Sequence, residues 1–315
     1  MTSKAIRYAP IWLVMLLAGA ITVQSQQMPL LEKEFDLAGE PSRETQVFSM
    51  ESRLITYALD GSLAGTEIFR MRLECVPSGV PGGGADEYTC LRFTFEPEGG
   101  REVSIPALEN WTYALDRQGI DDKGQVFGID HAKFEGLIDS AGNPVPIDKS
   151  YHVYNAFIDF HAFCNVFAEP APDGKGIQDL RKIGEKIVHA AAFSEAPTSL
   201  GGSFAEGSSF TNGEITLEFK GLGVANDRPC ALVEYDSGAS SFKMIMRPMP
   251  EMEVVTVGSS HYWGHIYKDL ETSWVQKVTM TEVVVSETTL PMPPNKMNAV
   301  IEREITILNV SHEGR

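Results

Sequence analysis

The chain has 315 residues, of which 26 are basic and 43 acidic, so its formal net charge at pH 7 is −17. A surface this acidic repels the phosphates of nucleic acids and anionic lipid headgroups, and we therefore expect no nucleic-acid partner. The length is sufficient for one large domain with a sizeable core.

The N-terminus has the layout of a secretory leader over residues 1–25. A basic start precedes an apolar run from residue 11 to 21, and Val23 and Ser25 occupy the −3 and −1 positions of a cleavage site. The run is shorter than a membrane span of about 20 residues, and an uncleaved anchor is the alternative. We expect an exported protein, periplasmic or extracellular, whose mature chain of charge −19 has no integral membrane segment.

The last third of the chain contains the clearest strand patterns. From residue 297 to 310, apolar side chains alternate with polar ones, and Arg303 interrupts the apolar face. A run rich in Val and Thr (274–285) and an aromatic segment (258–270) precede this strand. These patterns predict a mainly β fold with a large antiparallel sheet, either a half-barrel or a sandwich.

Earlier segments predict further strands. Residues 50–59 and 67–75 form a predicted hairpin around Asp60 and Gly61, and residues 91–95 alternate as a third strand. The other predicted strands are 214–220, 230–235 and 242–246.

The middle of the chain has a different periodicity. Apolar residues recur at helical spacing over residues 151–167 and again over residues 177–193. We therefore predict a single β-rich domain over residues 26–315, with a two-helix insert at about 150–195.

The four cysteines predict disulfides if the protein is exported. Cys75 and Cys90 flank a Gly/Pro loop, and a bridge between them would close about 15 residues and contribute about 3 kcal/mol. Cys164 could pair with Cys230, or the thiols could be free and buried.

Histidines and a carboxylate supply the candidate catalytic groups. His152 and Asp159 share one side of the first predicted helix, His161 lies on another side, and His261 and His265 lie on a predicted strand. Imidazole and carboxylate can act together as ligands or as acid and base, so a hydrolase assembled only in the fold is one hypothesis.

Metal and cofactor motifs do not emerge from the sequence. His261 and His265 are four residues apart, which places them about 13 Å apart on a strand, too far for one ion. A nucleophile elbow and a phosphate-binding glycine loop are also missing, so we expect no cofactor.

Aromatic and Met side chains favour a second hypothesis, non-catalytic binding. The first predicted helix carries four phenylalanines, and two methionines alternate on a later strand, which suggests an apolar small molecule or an envelope protein as partner. The predicted ligand-binding residues are Phe157, Phe160, Phe163 and Phe167.

The segment from Gly264 to Val275 places a Tyr-x-Asp-x-x-Thr turn (Tyr267, Asp269, Thr272) between two predicted strands. This arrangement resembles the hairpins of the LolA-type lipoprotein carriers over about 60 residues. The resemblance implies a curved antiparallel sheet over helices, with a concave apolar face that holds acyl chains. It assigns no binding residue to this chain.

Overall fold

The computed structural model describes seven segments of the chain: residues 30–78, 85–115, 126–190, 205–211, 213–249, 252–293 and 295–311. The predicted leader over residues 1–25 lies outside these segments.

Strands make up about half of the described residues. In chain order they are β1 (Gln46–Tyr57), β2 (Leu63–Val76), β3 (Glu87–Glu96), β4 (Val103–Ser104), β5 (Trp111–Ala114), β6 (Lys186–Val188), β7 (Ser209–Thr211), β8 (Thr216–Ala225), β9 (Arg228–Asp236), β10 (Ser240–Met249), β11 (Met252–Asp269), β12 (Val275–Thr289) and β13 (Lys296–Asn309).

These strands form one antiparallel sheet, in the order β4-β3-β2-β1-β13-β12-β11-β9-β8-β6. The first and last long strands are neighbours, with Met50 of β1 opposite Ile307 of β13. β9 and β10 pair with successive parts of the same edge of β11, and the short strands β5 and β7 pair with β3 and β10. The predicted mainly β fold with a large antiparallel sheet is confirmed.

One long helix lies on this sheet in the described part of the chain. Helix α1 (Ile147–His161) continues as a π-helical turn (Ala162–Val166), which confirms the helix predicted over residues 151–167. Its apolar stripe packs on the sheet, and each large side chain so buried contributes about 1.5–3 kcal/mol. We call the face of the sheet under α1 the inner face and the opposite one the outer face. The buried stripe consists of Val153, Phe157, Phe160, Cys164 and Phe167.

The second predicted helix, over residues 177–193, is wrong. Its described part contains a 3-10 turn (Ile177–Asp179) and the short strand β6. The Glu185 carboxylate accepts the backbone N–H groups of Arg181 and Lys182, which closes a turn before β6 begins. Backbone hydrogen bonds between residues 184–185 and Phe219 then add this segment to the sheet, so tertiary pairing overrides the helical spacing.

The predicted disulfide between Cys75 and Cys90 is also wrong, because all four cysteines are free and buried. In the register of β2 and β3, Cys75 lies opposite Tyr88 and Cys90 lies opposite Leu73. Cys75 and Cys90 are therefore diagonal neighbours, and the Cα atoms of such pairs lie about 7–8 Å apart, beyond the usual Cα–Cα distance of a disulfide. Burial also raises the pKa of the Cys90 thiol to about 12.

Within the described segments, no helix is both long and apolar enough to cross a membrane.

Candidate functional site

The strand register aligns the inner-face side chains in rows that run across the sheet. One such row joins Met50, Ile307, Val278, Ile266 and Val233 on neighbouring strands. Every side chain in it is at most 2% exposed. This row belongs to the core.

Four residues further along each strand, the corresponding row contains charged and polar side chains as well as an apolar one. Leu54 lies opposite Arg303, Arg303 opposite Glu282, and Glu282 opposite Tyr262. Glu67 of β2 extends the row beyond Leu54. We call these five residues the border row, because α1 contacts the sheet up to this row.

Three contacts place the side of α1 along the border row. Lys149 pairs with Glu67 near the start of the helix, and Asp159 pairs with Arg303 further along it. In the π-helical turn the Phe163 ring lies 6.3 Å from the Tyr262 ring. The helix therefore covers the inner face on one side of this row.

Arg303 is bound by carboxylates from both layers of the protein. Its Nε donates to Glu282 of β12 at 2.7 Å, and its Nη1 donates to Asp159 of α1. The side chains of Arg303, Asp159 and Glu282 are 14%, 16% and 12% exposed, so water reaches them only in part. Glu282 also accepts a hydrogen bond from the Ser260 hydroxyl.

This environment shifts the ionisation of two candidate catalytic groups. Burial raises the pKa of Asp159 to about 6, against the opposing effect of the Arg303 charge. Burial and then the positive charge of Arg303 lower the pKa of His152 to about 4. Asp159 is thus held by an ion pair, and His152 is a neutral imidazole whose ring lies 5.7 Å from Phe69.

Beyond the border row the inner face is only partly shielded. Ile301 lies opposite Val284, and two residues further on Ala299 lies opposite Ser286. Strand β10, which pairs with β11 on the side away from β12, carries three larger apolar side chains at alternate positions on this face. All of these apolar residues, Ala299 included, are half-buried. We call this region the open surface and define it by Phe242, Met244, Met246, Val284, Ala299 and Ile301.

Two glycines of β11 let aromatic rings lie along the sheet. A Cβ on Gly258 would come within 2.5 Å of the Phe242 ring, and a Cβ on Gly264 within 2.7 Å of the Tyr235 hydroxyl. The Phe242 ring thus covers Gly258 in the open surface. Tyr235 covers Gly264 on the core side of the border row, and its hydroxyl donates to Thr279 O. Because glycine has no side chain, each of these positions leaves room for a ring on the inner face.

The third candidate catalytic residue, His161, belongs to a separate buried network. Its Nε2 lies 2.6 Å from the Tyr113 hydroxyl and its Nδ1 lies 2.8 Å from Asn165 Oδ1. Because the amide oxygen can only accept, Nδ1 carries the proton and Nε2 accepts from Tyr113. Asn165 donates onward to Glu169. Burial lowers the pKa of His161 to about 4, and this residue is wholly buried.

The remaining candidate histidines lie on the other side of the sheet. His261 and His265 are on the outer face of β11, where they face Asp236 at 2.9 Å and Glu234 at 3.7 Å. Their side chains are 47% and 40% exposed. The structure therefore does not bring them together with His152, Asp159 or His161. Among the described residues, no group of three or more His, Cys, Asp or Glu side chains is arranged to hold a metal ion.

The four phenylalanines predicted to bind a ligand are at most 3% exposed. Phe157 stacks on Phe93 of β3, and Phe163 packs on Tyr235 of β9. These rings join α1 to the sheet, and only Phe163 reaches the border row, through Tyr262. Their role in ligand binding remains a prediction.

Sequence patterns indicated part of this site and missed the rest. The interruption of the apolar face by Arg303 marked the border row, and the alternating Met244 and Met246 marked the open surface. The acidic partner Glu282 gave no comparable indication, because its pairing depends on the register of β12 and β13.

No protein-family model matches this chain, and no curated protein shows significant similarity to it.

Proposed function

We propose that this chain is a non-catalytic binding protein that holds an apolar molecule on the open surface. The observation that carries this proposal is the half-buried apolar surface that continues the core rows beyond α1. Contiguous apolar surface left partly open to water is unfavourable, and in folded proteins it marks sites of interaction.

The shape of the surface favours a flexible, elongated ligand. Met244 and Met246 are adaptable side chains that pack against varied apolar shapes, and the Phe242 ring lies over Gly258. On the far side of Gly258 the same row continues with small side chains, Ser286 of β12 and Ala299 of β13, which lie opposite one another. A hydrocarbon chain can lie along such a floor without displacing the protein core.

Two sequence features agree with this function. The hairpin that resembles those of the LolA-type carriers closes between β11 and β12, where the Asp269 carboxylate accepts the backbone N–H groups of Glu271 and Thr272. The leader-like residues 1–25 place the protein outside the cytoplasm in this proposal, where a carrier of apolar molecules would operate.

Paired variants on one strand test the proposal. Val284 faces the open surface, whereas its neighbour Val285 is 50% exposed on the outer face. Val284→Gln should weaken binding of an apolar fluorescent probe by roughly tenfold, since burying a valine contributes about 1.5–3 kcal/mol. Val285→Gln should leave binding unchanged.

Mass spectrometry under native conditions provides the second measurement. Residues 26–315 purified from an oxidising compartment should carry an apolar molecule that is recovered in an organic extract. Equal effects of the two valine variants, together with a ligand-free mass, would contradict the proposed function.

A further inference from the structure

We infer that the molecule held on the open surface carries a positive charge at its polar end, and that this charge lies beside Asp159 and Glu282. This inference rests on the proposed function and adds the chemical class of the ligand.

Carboxylates outnumber cations where α1 meets the border row. Asp159 and Glu282 supply two carboxylates, and Arg303 is the cation bonded to both. These three side chains are no more than 16% exposed, so the surplus negative charge is poorly screened by water. The same imbalance recurs near the start of α1, where Lys149 pairs with both Glu67 and Asp148. A cationic group is the complement that both sites lack.

Two oxygen atoms near Arg303 have no hydrogen-bond donor among the described residues. Asp159 uses Oδ2 for Arg303, and its Oδ1 accepts no hydrogen bond from the described residues. The Tyr262 hydroxyl, in the same row, likewise has no partner among the described residues. An ammonium group has three N–H donors, and both oxygens can accept from it. The raised pKa of Asp159 agrees with an unmet need for positive charge.

The position of these acceptors fits an amphiphile. On the inner face, Val284 comes two residues after Glu282 and Ile301 two residues before Arg303, a distance of about 7 Å along each strand. A hydrocarbon chain that covers Val284 and Ile301 therefore places its polar end at the border row. An anionic end would meet the surplus carboxylate charge, and the Arg303 guanidinium is already bonded to two carboxylates.

Displacement of an apolar fluorescent probe by matched amphiphiles tests the inference. Dodecylamine, dodecanol and dodecanoate share one chain and differ in the polar end, and propylamine supplies the amine without the chain. Dodecylamine should displace the probe at a concentration at least about tenfold lower than dodecanoate, and propylamine should fail to displace it.

A matched pair of variants separates the local charge from the charge of the whole protein. Glu282→Gln should reduce the preference for dodecylamine over dodecanoate several-fold. Glu304→Gln removes the same charge from the outer face, where Glu304 pairs with Arg53, and should leave the preference unchanged. Urea unfolding of both variants checks that each is folded.

The outcomes distinguish the two proposals. If dodecanoate binds as tightly as dodecylamine, or if both variants change the preference equally, the cationic headgroup is wrong and apolar binding stands. If propylamine displaces the probe as well as dodecylamine does, the link between head and chain is wrong. If no dodecyl compound binds, the proposed function fails and this inference fails with it.

Discussion

Arg303 of β13 is ion-paired with Asp159 of α1 although 144 residues separate them in the chain. The pair lies where the cover of the inner face by α1 ends. Glu282 joins it from the neighbouring strand, so the network holds helix and sheet together at the boundary between the core and the open surface. Substitutions in this network should therefore change both the stability of the protein and the proposed binding of a ligand.

Replacing Arg303 tests the structural part of this role. Arg303→Met leaves Asp159 and Glu282 unpaired at a site with little water, and it should lower the free energy of unfolding by about 3–5 kcal/mol. Arg53→Met provides the control, because Arg53 and Glu304 are about half exposed on the outer face. The control should lower it by no more than about 1 kcal/mol in urea titrations. Similar losses from both variants would contradict a special role for the border row.

The buried imidazole of His161 should make the protein sensitive to acid. Burial lowers its pKa from 6.5 to about 4, so the unfolded chain takes up the proton more readily than the folded protein does. Its contribution to stability is present above pH 6.5 and is lost as the pH falls towards 4, by about 3 kcal/mol in total. Asp159 has the opposite effect, since its raised pKa adds stability as the pH falls below about 6.

A variant separates these two contributions. His161→Gln should reduce the loss of unfolding free energy between pH 6.5 and 4, whatever its effect at pH 7, because its imidazole no longer takes up a proton on unfolding. The part of the loss that remains includes the contribution of His152, whose pKa burial also lowers to about 4. His261→Gln, on the outer face, should leave the slope close to that of the wild type. An unchanged slope in His161→Gln would rule out the buried imidazole as the cause. The slope is measured by urea unfolding at a series of pH values.

The free cysteines predict a simple count of thiols. Protein purified from an oxidising compartment should show four reactive thiols after unfolding in guanidinium chloride, and almost none while folded, because all four are buried. Cys75→Ser and Cys90→Ser should each remove one thiol from the count. A count of two in the wild type, restored to three by either variant, would show that Cys75 and Cys90 form a disulfide after all.

Gly264 should be intolerant of a side chain. A Cβ at this position would come within 1.9 Å of Thr279 O on the neighbouring strand. Gly264→Ala should therefore lower the free energy of unfolding by about 2 kcal/mol or more, as strand separation or displacement of Tyr235 is required. Gly223→Ala is the comparison, since its nearest neighbour, the Tyr267 ring, is 3.1 Å away and can move. Equal losses would contradict the close packing at β11 and β12.

Export predicts a defined mature N-terminus. The intact mass of secreted protein should correspond to a chain that begins at Gln26, after cleavage that follows Ser25. Ser25→Arg should block this cleavage and leave a longer, membrane-associated chain, whereas Ser3→Arg in the basic region should be processed normally. A wild-type mass that includes residue 1 would favour the uncleaved anchor.

Alternation and helical spacing were sufficient to predict most elements of the fold. The alternating stretches around Phe93 and Ile305 became β3 and β13, and the aromatic stripe from Val153 to Phe167 became α1 with its π-helical turn. Each of these stretches has enough apolar residues on one face to define both its secondary structure and its buried side. The spacing of residues along a strand or helix determines which side chains share a face, so this property can be read from the sequence.

The partner of each face was decided only by the tertiary structure. Residues 177–190 have helical spacing, yet the pairing of β6 with β8 gave them a different conformation. Cys75 and Cys90 lie on the same face of the sheet, but the strand register places Cys90 two residues away from the position opposite Cys75. Arg303 was visible as a break in an apolar pattern, and only the packing of α1 on the sheet supplied Asp159 as its counter-ion. Contacts between distant segments depend on register and layer packing, which no local pattern encodes.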